Sequence, residues 1–214
     1  MIDLVWMVLL GYLLGSISGS LVLGRLRGLD IRSMGSGNAG GTNALRSVGW
    51  LFALLVVLID VGKGVVAALV VPVLPTVSGG DLPLERTSVA ALCGLAAVIG
   101  HVWPLYFGFR GGKGAGTAVG VVVVIAPWCI LPLIVVWLVT LLGTGFVGLA
   151  TVLAGLSLVP SMWLLGPEPL PPALGAVAIV LAGLLLFTHR SNLARLRSGT
   201  ENRFEKARVL KRHR

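Results

Sequence analysis

The sequence predicts an all-α, polytopic membrane protein, and three observations carry that prediction. Of 214 residues, 56% are hydrophobic and 12% charged, whereas soluble domains run near roughly 45–50% apolar and about 25% charged. The mean hydropathy is +0.97, and the apolar residues form uninterrupted blocks long enough to cross about 30 Å of hydrocarbon. Finally, the basic residues gather in particular segments between blocks, which is how cytoplasmic loops are marked.

The blocks run at about 2–24, 49–75, 87–108, 114–142, 145–165 and 172–188. The first lacks a basic start, carries Asp3, and is followed by Arg25, Arg27 and Arg32. It therefore reads as an uncleaved helix with its N-terminus outside. The fourth block is longer than one span needs, and Pro127 and Pro132 interrupt it around Trp128. Proline removes a helix hydrogen bond, so two short helices are expected within 114–142.

That split gives about seven transmembrane helices, with the C-terminus cytoplasmic. It also lets loop 25–48 and the tail 189–214, with nine Lys and Arg against two Glu, share one side. Asp3, Asp81, Glu85 and Glu168 then fall on the other. A single integral-membrane domain over 1–214, ending in a basic cytoplasmic tail, is the expected organisation. The formal charge of +9 reads as topology and attraction to an anionic lipid surface and anionic substrates, with no nucleic acid expected.

Two glycine-rich turns carry the chemistry. "GSGNAGGTNALR" contains the spacing G-x-G-x-x-G at Gly35, Gly37 and Gly40, but a membrane helix and a basic linker precede it where a dinucleotide site needs a strand. What survives is an anion cradle: glycine amides, the neutral donors Ser36, Asn38, Thr42 and Asn43, and Arg46 as a planar fork. "GFRGGKGAGT" offers a second, with Gly112 and Lys113. It is no Walker A loop, because Phe107 stands where its first glycine belongs and Gly114 where its Ser or Thr belongs.

His101 and His189 stand at the ends of apolar blocks and are candidate general acids or bases. Asn192 lies three residues beyond His189. Asp60 and Lys63, on one face of the second block, are expected to pair. Cys93 and Cys129 read as buried small hydrophobes. No acidic pair has metal-ligand spacing, so neither metal nor cofactor is expected. Neither histidine is followed at the fifth position by Asp, so the H-x-x-x-x-D box of thioester-using acyltransferases is missing.

"GSGNAGGTNALR", "GHVWPLYFGFRGGKGAGTA" and "GTENR" together resemble the three signature motifs of the bacterial acyl-phosphate:glycerol-3-phosphate acyltransferases, in order and over nearly the whole chain. The resemblance implies transfer of a fatty acyl group from acyl phosphate to the 1-hydroxyl of glycerol 3-phosphate, giving lysophosphatidic acid for phospholipid synthesis at the bacterial inner membrane. It implies a soluble enzyme that makes the acyl phosphate as a potential partner.

By position, the catalytic candidates are Ser36, His101 and His189. The phosphate- and substrate-binding candidates are Gly37, Asn38, Thr42, Asn43, Arg46, Gly112, Lys113, Asn192, Glu201 and Arg203. The sequence departs from the family pattern near Gly148, where a serine is expected and Thr151 is the available substitute. The alternative reading is a transporter for a phosphorylated metabolite, which calls for midplane sites and an internal repeat, neither of which the sequence offers.

Overall fold

A computed structural model describes residues 1–204. Among them every regular element is helical. The chain forms two compact units, one over Met1–Ile125 and one from Ala126 onward. The boundary falls in the 114–142 block at the break that Pro127 marks. As expected, that block is divided: one helix, Ala115–Ile125, follows the second glycine turn, and another, Ile130–Thr144, starts after a 3-10 turn at Pro127–Cys129.

The first unit comprises α1 (Ile2–Gly15), α2 (Gly19–Leu26), α3 (Gly41–Ser47), α4 (Trp50–Leu69), α5 (Arg86–Val102) and α6 (Ala115–Ile125). The first apolar block, expected as one helix, is broken: α1 and α2 meet at a 48° bend. Ser16 closes α1 and Ser18 turns extended ahead of α2. Side-chain hydroxyls compete locally for backbone groups in such Ser/Gly runs, and partners on α4 described below complete the break.

Within lipid, helices gain no hydrophobic drive toward one another, so close van der Waals contact between small residues must hold them. Gly11 and Gly15 of α1 lie against the backbone of Cys93 and Ala97 on α5, and Gly100 of α5 lies against Tyr12 to Ser16. The α4/α6 pair repeats the device, with Gly64 against Thr117 and Val121, and Gly120 against Val61 and Val65. Asp3, at the start of α1, accepts from Trp6 Nε1 at 3.2 Å, from the Val77 amide at 2.6 Å, and from the amide and hydroxyl of Ser78. It thereby pins the α4–α5 loop to the N-terminal end of α1.

The second unit comprises α7 (Ile130–Thr144), α8 (Val147–Leu165), α9 (Pro172–Thr188) and α10 (Arg190–Arg197). Gly145, left-handed at φ 79°, ends α7 and donates its amide to Leu141 at 2.7 Å, the usual solution for a helix C-terminus. A 50° bend at His189 separates α9 from α10. The basic tail therefore opens as a helix, and its residues 205–214 lie outside the described residues.

By length and composition, four helical segments can each span a membrane alone: Trp50–Val73, Arg86–Phe107, Pro127–Thr144 and Val147–Leu165. The two bent pairs bring this to six. The remaining apolar helix, α6, has 11 residues and so reaches only about 16 Å at about 1.5 Å per residue.

The α1/α5 contact generates a prediction. Gly15→Ala places a methyl into the Ala97 backbone and should cost about 1–3 kcal/mol. Gly62→Ala, on α4 with open space around it, should be neutral or slightly stabilising, because alanine is the better helix former. Thermal unfolding of both variants in one detergent checks the difference.

Candidate functional site

In the first unit the two glycine-rich turns meet at the C-terminal end of α5. Gly111 and Gly112 donate their amides to the carbonyls of Val102 and His101, each at 3.1 Å. These amides were expected to cradle an anion; instead they cap α5, whose last carbonyls would otherwise lack donors. Gly112 is flanked on one side by His101 Nε2 and on the other by the Ala39 carbonyl of the first turn. No side chain fits between them. The turn enters this position through Gly108 and Phe109, both left-handed at φ 64° and 58°, and Lys113 follows, half-buried.

The first turn is shaped by Asn43. Its Nδ2 donates to Ile31 at 3.1 Å and Met34 at 2.9 Å, and its Oδ1 accepts the Ser36 amide at 3.0 Å and the Ser47 hydroxyl at 3.4 Å. An amide side chain has two donor hydrogens and one carbonyl oxygen, so Asn43 is spent on its own loop. These bonds give Asn43 a role in setting the shape of its loop. Gly35 and Gly37 take left-handed angles of 54° and 71° around Ser36. Ser36, Gly37 and Arg46 are exposed, and Asn38 and Thr42 are half-buried. α3 opens at Gly41, with Arg46 in its last turn.

Arg32 ties the two turns together. It forms a bidentate pair with Asp30 and donates through Nη1 to the carbonyls of Phe107 at 3.2 Å and Arg110 at 3.4 Å. Arg25 of α2 stacks over the Phe107 ring at 5.1 Å, which ties α2 to the second turn as well. The Arg32 guanidinium hydrogen-bonded to Asp30 holds that carboxyl below its ordinary range.

A second ionic group joins α4 to α5. Asp60 and Lys63 pair at 3.4 Å as their spacing predicts, and His101 Nδ1 stands 3.4 Å from the same Asp60 oxygen. All three side chains are buried.

In the second unit the last motif folds back on the α7–α8 turn. Asn192 Nδ2 donates to Glu201 at 2.6 Å, and Arg195 Nε pairs with Glu201's other oxygen at 2.7 Å. The Phe204 amide donates to Gly145 at 2.7 Å, and Arg203 stacks over Phe146 at 4.7 Å. Gly148 packs directly on the Asn192 side chain, so even a serine there would displace Asn192. Thr151, the available substitute for the expected serine, points its hydroxyl to neighbours within the unit. Its hydroxyl donates to Val147 at 2.9 Å and accepts from Trp137 at 3.3 Å. His189 is buried at the α9–α10 bend, with Nδ1 2.8 Å from the Leu185 carbonyl. A carbonyl only accepts, so Nδ1 carries the proton and Nε2 is the basic nitrogen of the neutral ring.

Sequence reasoning missed Arg32 and Asp30, whose i, i+2 spacing signals nothing beyond a turn. It also missed what Asp60 and Lys63 hold. The fold and these clusters define a multi-pass helical membrane protein with cationic, glycine-lined turns. A family model described as "Glycerol-3-phosphate acyltransferase" matches residues 5–199. The chain is 44% identical to the glycerol-3-phosphate acyltransferase of Shouchella clausii, over 96% of this chain and 98% of that protein. To the one from Aquifex aeolicus it is 38% identical, over 93% and 98%.

Among solved structures, the glycerol 3-phosphate form of PlsY, an integral membrane glycerol 3-phosphate acyltransferase, superposes with a TM-score of 0.82 at 38% identity, covering 94% of this chain and 95% of that one. The lysophosphatidic acid form gives 0.80 at 36%, covering 95% and 97%. The chain belongs to the glycerol-3-phosphate acyltransferase family. It is an acyltransferase.

The Asp30–Arg32 clasp sets a pH prediction. Asp30's pKa is lower folded than unfolded, so the clasp's contribution is complete above the unfolded value of about 4. It is lost as pH falls through the folded value. Hydrogen exchange across residues 30–37 should stay slow from neutral down to about pH 4 and rise below it, whereas Asp30→Asn should show fast exchange already at neutral pH.

Proposed function

We propose that the enzyme transfers a fatty acyl group from acyl phosphate to the 1-hydroxyl of glycerol 3-phosphate, giving lysophosphatidic acid and phosphate. The observation that carries this reading is the meeting of two cationic glycine turns at His101 in a chain that matches the acyltransferase family from residue 5 to residue 199. Both substrates carry phosphate, and Ser36, Asn38, Thr42, Arg46 and Lys113 are the donors suited to it. Gly37 and Gly112 keep side chains out of the way, while Asn43 and Glu201 act one step back by shaping the loop and orienting Asn192. Arg203 is a further cation suited to an anionic headgroup or substrate.

An acyl phosphate is a mixed anhydride with a good leaving group. The enzyme's work is to align the alcohol against the carbonyl carbon and stabilise the departing phosphate. The alcohol oxygen bonds to the acyl carbon, the bond from that carbon to the phosphate oxygen breaks, and the proton passes to a phosphate oxygen of the donor, whose second pKa is near roughly 6. No side-chain base is then required. Neither metal nor cofactor enters the scheme.

The charge pattern supports one integral-membrane enzyme with seven crossings in the bacterial inner membrane, its N-terminus outside and both glycine turns and the basic tail cytoplasmic. That face is also where a soluble enzyme making acyl phosphate would deliver it.

Purified protein in lipid, with labelled glycerol 3-phosphate and no added metal, should give lysophosphatidic acid from palmitoyl phosphate and none from palmitoyl-CoA. Product from the thioester, or from neither donor, overturns the reading. Lys113→Ala and Arg46→Ala each remove charge-assisted bonds of roughly 1.5–3 kcal/mol and should lower kcat/KM roughly 10- to 100-fold. Loss of turnover with intact glycerol 3-phosphate binding in His189→Ala or His101→Ala would replace the phosphate base with a histidine.

A further inference from the structure

The break in the first span leaves backbone groups without helical partners, and two side chains of α4 supply them. Lys63 Nζ donates to the carbonyls of Gly15 at 2.6 Å and Ile17 at 2.9 Å, where α1 ends. Asp60 Oδ1 accepts the amide of Gly19 at 3.0 Å, where α2 begins. Each charge therefore meets the helix end of opposite sign, as the dipoles of α1 and α2 favour. Irregular backbone at this depth survives only where protein satisfies it, and Ser16, Ser18 and Ser20 around the break are fully buried.

The same Asp60 oxygen that receives Gly19 also faces Lys63 and His101 Nδ1. The far edge of the His101 ring is the wall against which Gly112 rests, one residue before Lys113. One carboxylate oxygen is thus common to the break in the first span, the second span and the histidine that backs the second glycine turn.

We propose that Asp60 is a positioning residue: it sets the orientation and tautomer of His101, and through that ring the placement of Gly112 and Lys113 for the acyl-transfer reaction. Lys63 holds the carboxylate in place and closes the break. Nε2 is the nitrogen turned to Gly112, and in this proposal the Asp60 carboxylate, 3.4 Å from Nδ1, favours the imidazole proton on Nδ1. The charged groups facing His101 are Asp60 and, through it, Lys63, both on α4. The role rests on the acyltransferase reading above for its kinetic consequence, though not for its geometry.

Two measurements test it. With palmitoyl phosphate and glycerol 3-phosphate, Asp60→Asn keeps an oxygen for Gly19 and removes the charge; kcat/KM should fall about tenfold or more. In a His101→Gln background the same change should cost less than twofold further, because a residue acting through His101 has nothing left to act on. Losses that multiply, or an Asp60→Asn enzyme as active as wild type, overturn the proposal.

If Asp60→Asn does not fold, nitrogen-15 NMR of histidine-labelled wild-type protein decides. A neutral His101 protonated on Nδ1, or a ring protonated on both nitrogens, supports the role, whereas a neutral ring protonated on Nε2 overturns it. Wild-type protein that makes no lysophosphatidic acid defeats the functional reading alone, and the NMR signature still tests the geometry.

Discussion

Everything in the first unit depends on how a membrane-embedded chain satisfies the backbone groups it exposes when a helix stops midway. In water a broken helix is solvated without difficulty. In hydrocarbon each orphaned amide or carbonyl costs several kcal/mol, and the break at Ser16–Ser18 persists because a lysine and an aspartate one helical turn apart answer it. The pair is a poor source of stability in isolation, since desolvation offsets most of its Coulomb energy. Its value lies in the hydrogen bonds each member makes beyond the other.

From that anchor the site geometry follows by contact. α1 is held to α5 through glycine-to-backbone packing, and His101 stands in the last turn of α5. The carbonyls of its last turn then draw the Gly111–Gly112 segment back over the helix end. Arg32 fastens the first turn to the second. Glycines that resemble an anion nest in sequence thus divide their labour: some set loop direction and some cap a helix.

The legible parts of this molecule are those written in composition and period. Membrane class, block positions and the division at Pro127 all follow from apolar length and proline chemistry, and the three motifs point to the acyltransferase family. Illegible are features decided by contacts distant in sequence. Nothing in "GSISGS" announces that its break will be matched by residues more than 40 positions on, because the same run is compatible with a continuous helix. Asn43 reads as a ligand donor, and only the fold shows its bonds to the carbonyls of Ile31 and Met34. Thr151 reads as a serine substitute, and only the fold shows Trp137 beside it.

The splice also constrains assembly during synthesis. The amide of Gly19 waits for Asp60 across 41 positions, and the carbonyl of Gly15 waits for Lys63 across 48. At about 5–20 residues per second, the ribosome leaves the first hydrophobic segment unfinished for several seconds. During that interval the segment is an apolar helix with a polar flaw, and only the arrival of the second segment in the bilayer repairs it. The first segment thus carries polar groups that only the second can satisfy.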